Sequence, residues 1–296
     1  MSETVAVVRA SRPNFLVLAP LCAGLGVAVA WHQGEPPTLI NTLLVLIGAL
    51  LAHAAVNLLN EYEDFTSGLD LMTRRTPFSG GSGALPEVPS AARQVLLAAF
   101  GTLGLVIAIG LYFLWLRGLP MLVLGAAGVA LVLTYTRWIT RSPLICLLAP
   151  GLGFGPVMIL GSLIALGARL DATAVTVSAI GLLLVSELLL INQMPDADAD
   201  RKVGRRHLVI TLGQPAAARL VALLLLSSYG LLEAAIWIGW LPVWATLALA
   251  PLPAAIWVSV KLPGALANPV QLNTLLGINV AVLLATLALL ICGLSL

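Results

Sequence analysis

Nine apolar stretches divide the chain, each close to the roughly 17–25 residues that cross a hydrocarbon core as a helix. They cover residues 15–31, 38–59, 94–116, 119–135, 143–166, 173–193, 216–238, 242–260 and 272–294. Proline and glycine punctuate their ends, as in Gly34-Glu35-Pro36-Pro37 and Lys261-Leu262-Pro263-Gly264. The pattern predicts an all-α integral membrane protein, a bundle of about nine transmembrane helices forming one domain over residues 1–296. Arg9 and Arg12 precede the first apolar run, and no small-residue cleavage site follows it. That run therefore reads as a retained first helix with a cytoplasmic tail, not as a signal peptide.

Composition sharpens this reading. The 296 residues are 60% hydrophobic and only 9% charged, with mean hydropathy +1.04. Soluble domains carry roughly 25% charged residues, so lipid must cover most of this exterior. A net charge of +2, with basic residues scattered along the chain, gives no reason to expect a nucleic-acid partner. Cys22, Cys146 and Cys292 all lie in apolar runs without paired spacing and suggest neither a disulfide framework nor a zinc site.

Orientation follows from the loops. With the N-terminus inside, thirteen Lys and Arg residues fall on one side, and only Arg117 and Arg169 on the other. That asymmetry places the N-terminus in the cytoplasm and agrees with an odd number of spans. The two longest polar segments, 60–93 and 194–215, both fall on the cytoplasmic side.

Each of these segments opens with acids. The first begins Asn60-Glu61-Tyr62-Glu63-Asp64, with Asp70 close behind. If the preceding helix continues through it, His53, Asn57, Asn60 and Asp64 share about 60° of arc, a polar stripe roughly 16 Å long. Such a stripe must face a cavity or a partner, because lipid penalises it. The second begins Asn192-Gln193-Met194-Pro195-Asp196, with Asp200 four residues further on and Asp198 pointing elsewhere. Pro195 suits the start of a new short helix. Carboxylates at this spacing from two segments form a hard oxygen set suited to Mg2+, which completes its shell with water and phosphate. Arg74, Arg75, Arg201, Lys202, Arg205 and Arg206 stand near enough in sequence to clamp phosphate oxygens. Ordinary solvated loop acids would carry the same residues. Two matched pairs, each after an asparagine and each closing a span on the same side, favour the metal.

At these residues the chain resembles the UbiA superfamily of membrane prenyltransferases, whose N-D-x-x-D and D-x-x-x-D motifs lie on cytoplasmic loops of a nine-helix bundle. Asn60-Glu61-Tyr62-Glu63-Asp64 matches the first motif, and Asp196 with Asp200 the second. Gly68-Leu69-Asp70, Phe78-Ser79-Gly80-Gly81-Ser82-Gly83, Phe154-Gly155-Pro156 and the run from Asp200 to Arg206 resemble the 1,4-dihydroxy-2-naphthoate polyprenyltransferase branch of menaquinone synthesis. The resemblance implies a multi-pass enzyme of the inner (plasma) membrane whose active site faces the cytoplasm. It implies that Asn60, Asp64, Asp196 and Asp200 reach Mg2+ or its waters, and that Asp70 and the basic residues Arg74, Arg201 and Lys202 hold or close over a polyprenyl diphosphate. Tyr135 and Arg141, with Arg137, correspond to a Tyr and basic residues near the diphosphate, although positive-inside anchoring explains the two arginines as well. Glu61 stands where the family usually has Asp and is expected to bind metal through a longer arm. Gln193 and Glu187 also depart from the family pattern.

The implied reaction is transfer of a polyprenyl group to an aromatic acceptor, with loss of the ring carboxyl when that acceptor is dihydroxynaphthoate. Glu187 and His53, deeper than the acids, are candidate acceptor contacts; Glu187 reads equally as a protonated or paired structural residue, and His53 reads more readily as a satisfied core histidine. His207 reads as a solvated loop residue. Other family members use 4-hydroxybenzoate, homogentisate, haem or a glycerol phosphate ether. A membrane transporter is the rival from another class, but it would need polar groups at mid-membrane on several helices, and here they collect at one face.

Overall fold

The computed structural model describes residues 1–296 except Arg74, and it is helical throughout. The main elements are α1 (Glu3–Ala10), α2 (Leu18–His32), α3 (Leu39–Thr66), α4 (Ala92–Arg117) and α5 (Leu119–Thr134). They continue with α6 (Pro143–Leu166), α7 (Ala172–Asn192), α8 (Ala197–Lys202), α9 (Gln214–Ile238), α10 (Val243–Ala265) and α11 (Pro269–Ser295). Seven of these helices are long and apolar enough to cross a membrane, and an eighth results if the N-terminal segment and α2, bent by 50°, count as one span. The shorter apolar helix α5 corresponds to the remaining predicted stretch. The protein is a multi-pass membrane protein.

Local sequence explains the helix ends. Thr38 caps α3 by accepting from Asn41 N, and Asp171 caps α7 by accepting from Ala174 N. Pro269 stands at the start of α11, where its missing N–H costs nothing, and Asn268 accepts from Val270 N and Gln271 N. In α6, Pro150 and Pro156 interrupt the usual ladder, and residues 153–160 wind as a π-helix. This loosened stretch turns Gly153, Phe154, Val157 and Met158 towards the interior cavity.

The helices differ sharply in what covers them. α7 is 67% buried over its most apolar window, whereas the window in α4 is only 17% buried. α7 is therefore the central post. α4 presents Leu97, Phe100, Leu105, Leu111 and Trp115 outward, a surface that hydrocarbon must cover.

α6 meets α7 backbone to backbone, as small residues allow in membrane bundles. A Cβ added at Gly155 would lie 2.6 Å from the Ser178 carbonyl and 2.9 Å from Leu182 N, whereas one at Gly104 would meet nothing within 4 Å. Gly155→Ala should therefore push two main chains apart and cost about 1–3 kcal/mol. Thermal unfolding in detergent should show a lowered Tm for Gly155→Ala and an unchanged one for Gly104→Ala. Equal Tm values would contradict this packing.

Candidate functional site

A cavity of about 1170 Å3 runs between α3, α4, α5, α6, α7 and α11. Most of its wall is apolar, including Leu44, Gly48, Leu103, Phe113, Met121 and Leu284. The polar lining gathers where α3 and α7 give way to loops: Asn57, Asn60, Asp64, Asp70, Asn192, Asp196, Asp200 and Arg205. Arg12 joins them from the N-terminal segment.

The predicted stripe on α3 is real. α3 runs unbroken to Thr66, and His53, Asn57, Asn60 and Asp64 all line the cavity. Asn60 accepts from Arg12 Nη2 at 3.1 Å and donates to Thr136 Oγ1 at 3.2 Å. Across the cavity end, α8 begins at Ala197, two residues beyond Pro195, with Asp196 at its N-cap. The backbone bond from Asp200 N to the Asp196 carbonyl, 2.9 Å, puts the two acids one turn apart. Asp198 points into solvent, paired weakly with Arg201 at 3.8 Å.

One guanidinium ties the two segments together. Arg205 Nη1 donates to Asp200 Oδ1 at 2.9 Å, while its Nη2 donates to Asp64 Oδ1. Asp200 Oδ2 is 3.0 Å from His207 Nε2. His207 is thus 1% exposed and not on a solvated loop, because the chain after Gly204 folds back beneath α8 to satisfy Asp200.

The loop 76–83 crosses the same end. Gly80 N donates to Asp196 Oδ2 at 3.0 Å. Ser82 binds Glu61 through both its N–H (3.0 Å) and its hydroxyl. Gly81 has φ +74°, and its α-carbon packs so close to Asp70 that a Cβ there would lie 2.6 Å from Oδ1. Only glycine fits that position without strain.

Several predicted site residues stand apart from this cluster. Glu61 turns off the stripe to Ser82 and Arg12 (3.3 Å) and does not line the cavity. Arg141, Arg201 and Lys202 are exposed and do not line it either. Arg75 pairs with Glu87 at 3.0 Å on the surface. Arg74 lies outside the described residues. Tyr135 lines the cavity. His53 lines it deeper in, edge-on to Phe154 with ring centroids 4.9 Å apart and Nδ1 unpartnered. Glu187 is fully buried on the side of α7 that faces away from the cavity, with Asn279.

Arg12 and Asn192 are two polar lining residues to which the sequence analysis assigned no part in the site. Arg12 has φ +53°, the one non-glycine residue with positive φ among those described. Such strain persists where the surroundings hold it, and here Asn60 and Glu61 do so.

Three buried oxygens at the cavity end have no hydrogen-bond donor among the described residues: Asp70 Oδ2, Asn192 Oδ1 and Asp196 Oδ1. They are hard donors, as Mg2+ requires. Among the described residues no three His, Cys, Asp or Glu side chains close a cage by themselves.

A helical membrane fold whose cavity joins an apolar trough to an acid- and arginine-lined end has the division of polarity of an amphiphile. Residues 17–268 match the model of the UbiA prenyltransferase family, and the chain belongs to that family. It is a prenyltransferase. Over 240 residues it is 31% identical to an Escherichia coli protein named 1,4-dihydroxy-2-naphthoate octaprenyltransferase, covering 77% of this chain and 75% of that one. A Bacillus subtilis protein of the same name is 27% identical over 218 residues, 72% of this chain and 67% of the relative. The fold is similar to that of a UbiA homolog from Archaeoglobus fulgidus bound to GPP and Mg2+, with TM-score 0.63, 17% identity, and 96% and 99% of the two chains covered.

Burial, reinforced by the negative charges of Glu61 and Asp64, pushes Asp70 from the usual carboxylate range to about 7. A carboxyl raised in this way stabilises the fold fully below its unfolded pKa of 3.8. That contribution is lost as pH rises through about 7. In protein washed with chelator, the Tm of wild type should therefore fall between pH 5 and pH 8 more than that of Asp70→Asn. Parallel declines would show that Asp70 is not buried as described.

Proposed function

We propose that this protein transfers a polyprenyl group from its diphosphate to 1,4-dihydroxy-2-naphthoate, with Mg2+, at the cytoplasmic face of the inner (plasma) membrane. The observation that carries this reading is one cavity joining a charged end to an apolar trough. A polyprenyl diphosphate has the same division. The relatives' names favour the naphthoate acceptor, and the thirteen-to-two distribution of basic residues favours the cytoplasmic face.

In this reading Asn60, Asp64, Asp196 and Asp200 hold the Mg2+–diphosphate, with Asp70 and Asn192 contributing their unpaired oxygens. Bound there, Mg2+ would supply the charge that stabilises the departing diphosphate. Arg205 and Arg12 replace the more distant Arg141, Arg201 and Lys202 as the side chains placed to hydrogen-bond phosphate oxygens. Glu61 serves the site indirectly, by fixing Ser82 and so the loop that carries Gly80 to Asp196. The prenyl C–O bond breaks with its electron pair leaving on diphosphate, and the acceptor ring carbon attacks the allylic carbon. The ring then expels its carboxyl as CO2. Apolar walls keep water from the cation. His53 and Phe154 stand along the wall where an aromatic ring would lie, just inward of the acids.

Purified protein in lipid should convert labelled polyprenyl diphosphate with dihydroxynaphthoate faster than with 4-hydroxybenzoate or homogentisate. Preference for another ring would replace the acceptor and leave the rest standing. Activity should vanish on chelation and return with Mg2+. Asp64→Asn and Asp196→Asn should each lower the rate by about 10²-fold or more, the scale of losing a main electrostatic contact. Asp198→Asn should change it little. Turnover in excess chelator, or equal losses at all three positions, would overturn the metal assignment.

A further inference from the structure

α7 and α11 together form one side of the cavity wall, to which α7 presents Leu188 and Leu189 and α11 presents Leu283 and Leu284. Glu187 lies roughly 100–160° around α7 from its cavity-facing neighbours, so it sits behind the wall. It is fully buried, as is Asn279 on α11. Asn279 Nδ2 donates to Glu187 Oε2 at 3.0 Å. Two atoms of the same two groups, Glu187 Oε1 and Asn279 Oδ1, are buried without any partner among the described residues. A carboxylate only accepts. As an anion, Glu187 would leave both oxygens unsatisfied, and no basic side chain pairs with it among the described residues. A carboxylic acid resolves both at once, because its O–H can donate to Asn279 Oδ1 and close a ring of two complementary hydrogen bonds.

We propose that Glu187 is a neutral acid paired in this way with Asn279, and that the pair is a positioning device that fixes the rotation and register of α7 against α11, and hence the shape of the cavity wall. Apolar side chains can interdigitate at more than one register. A lone polar pair among them is satisfied at one only, as a buried asparagine shows in coiled coils. A slip would strand two polar groups in the interior of a membrane bundle. Seven residues further along α11, Thr286 meets Tyr229 of α9 at 2.7 Å, and this second fully buried pair repeats the device against another helix.

The proton assignment stands apart from the proposed reaction; the consequence for cavity shape rests on that reaction. Infrared spectra of wild type and Glu187→Gln in lipid nanodiscs at neutral pH test the first. The difference should contain a protonated-carboxyl C=O band in wild type; a difference made of carboxylate bands would overturn the proposal. Relative rates on short and long prenyl diphosphates test the second. Glu187→Gln can still donate to Oδ1 and accept from Nδ2, so it should keep wild-type stability and chain-length preference. Glu187→Leu and Asn279→Leu should each shift that preference by about threefold or more, the scale of one interhelical hydrogen bond. If they fail to fold, the exchanged double variant Glu187→Asn with Asn279→Glu should fold and restore the preference. Unchanged preference in the leucine variants, or failure of Glu187→Gln or of the exchange, would refute the register role. Absence of prenyl transfer in wild type would instead remove the proposed reaction and leave the infrared result intact.

Discussion

Charge must be paired or kept near water in a protein wrapped by hydrocarbon, and the arrangement of this molecule follows from that constraint. The acids that the proposed diphosphate chemistry requires cannot be spread through the bundle. They collect where α3 and α7 end, and there they are tied to arginine. Arg205 draws Asp64 and Asp200 together across nearly half the sequence, Arg12 holds Asn60 and Glu61, and His207 completes Asp200. The loop 76–83 closes the arrangement by linking Glu61 to Asp196 through Ser82 and Gly80. Beyond this end, the cavity can be apolar because nothing charged remains to be satisfied. Glu187, a carboxyl group behind its wall, answers the constraint differently: it has an amide for a partner.

How far the sequence revealed this depends on the physics of each feature. Apolar runs long enough to cross a bilayer are conspicuous, and each of the nine coincides with a helical segment, although α5 falls short of the length of its neighbours and α2 joins its leader at a bend. The stripe from His53 to Asp64 was legible because α3 continues as a regular helix, where spacing dictates facing. The turn from Asp196 to Asp200 was legible for the same reason. What was not legible is which polar groups satisfy one another across loops. Glu61 belongs to the motif by position but is turned aside by Ser82, twenty-one residues later. Arg201 and Lys202 are adjacent to Asp200, yet they sit on the outer side of α8, while Arg205 returns beneath it. His207 is buried by that same return. Glu187 lies in the span above the acids, but nothing in a uniformly apolar helix tells which side faces a cavity and which faces another helix.

In the proposed reaction Mg2+ and a diphosphate meet between the two acidic segments at the charged end of the cavity. The most direct measurement is the magnetic coupling between Mn2+, substituted for Mg2+, and the phosphorus nuclei of a non-reactive prenyl diphosphate analogue bound to the protein. Wild type should show 31P coupling to the bound metal, and Asp64→Asn and Asp196→Asn should each lose it while Asp198→Asn keeps it. Coupling that survives in both Asp64→Asn and Asp196→Asn, or its absence from wild type with the analogue bound, would contradict the account.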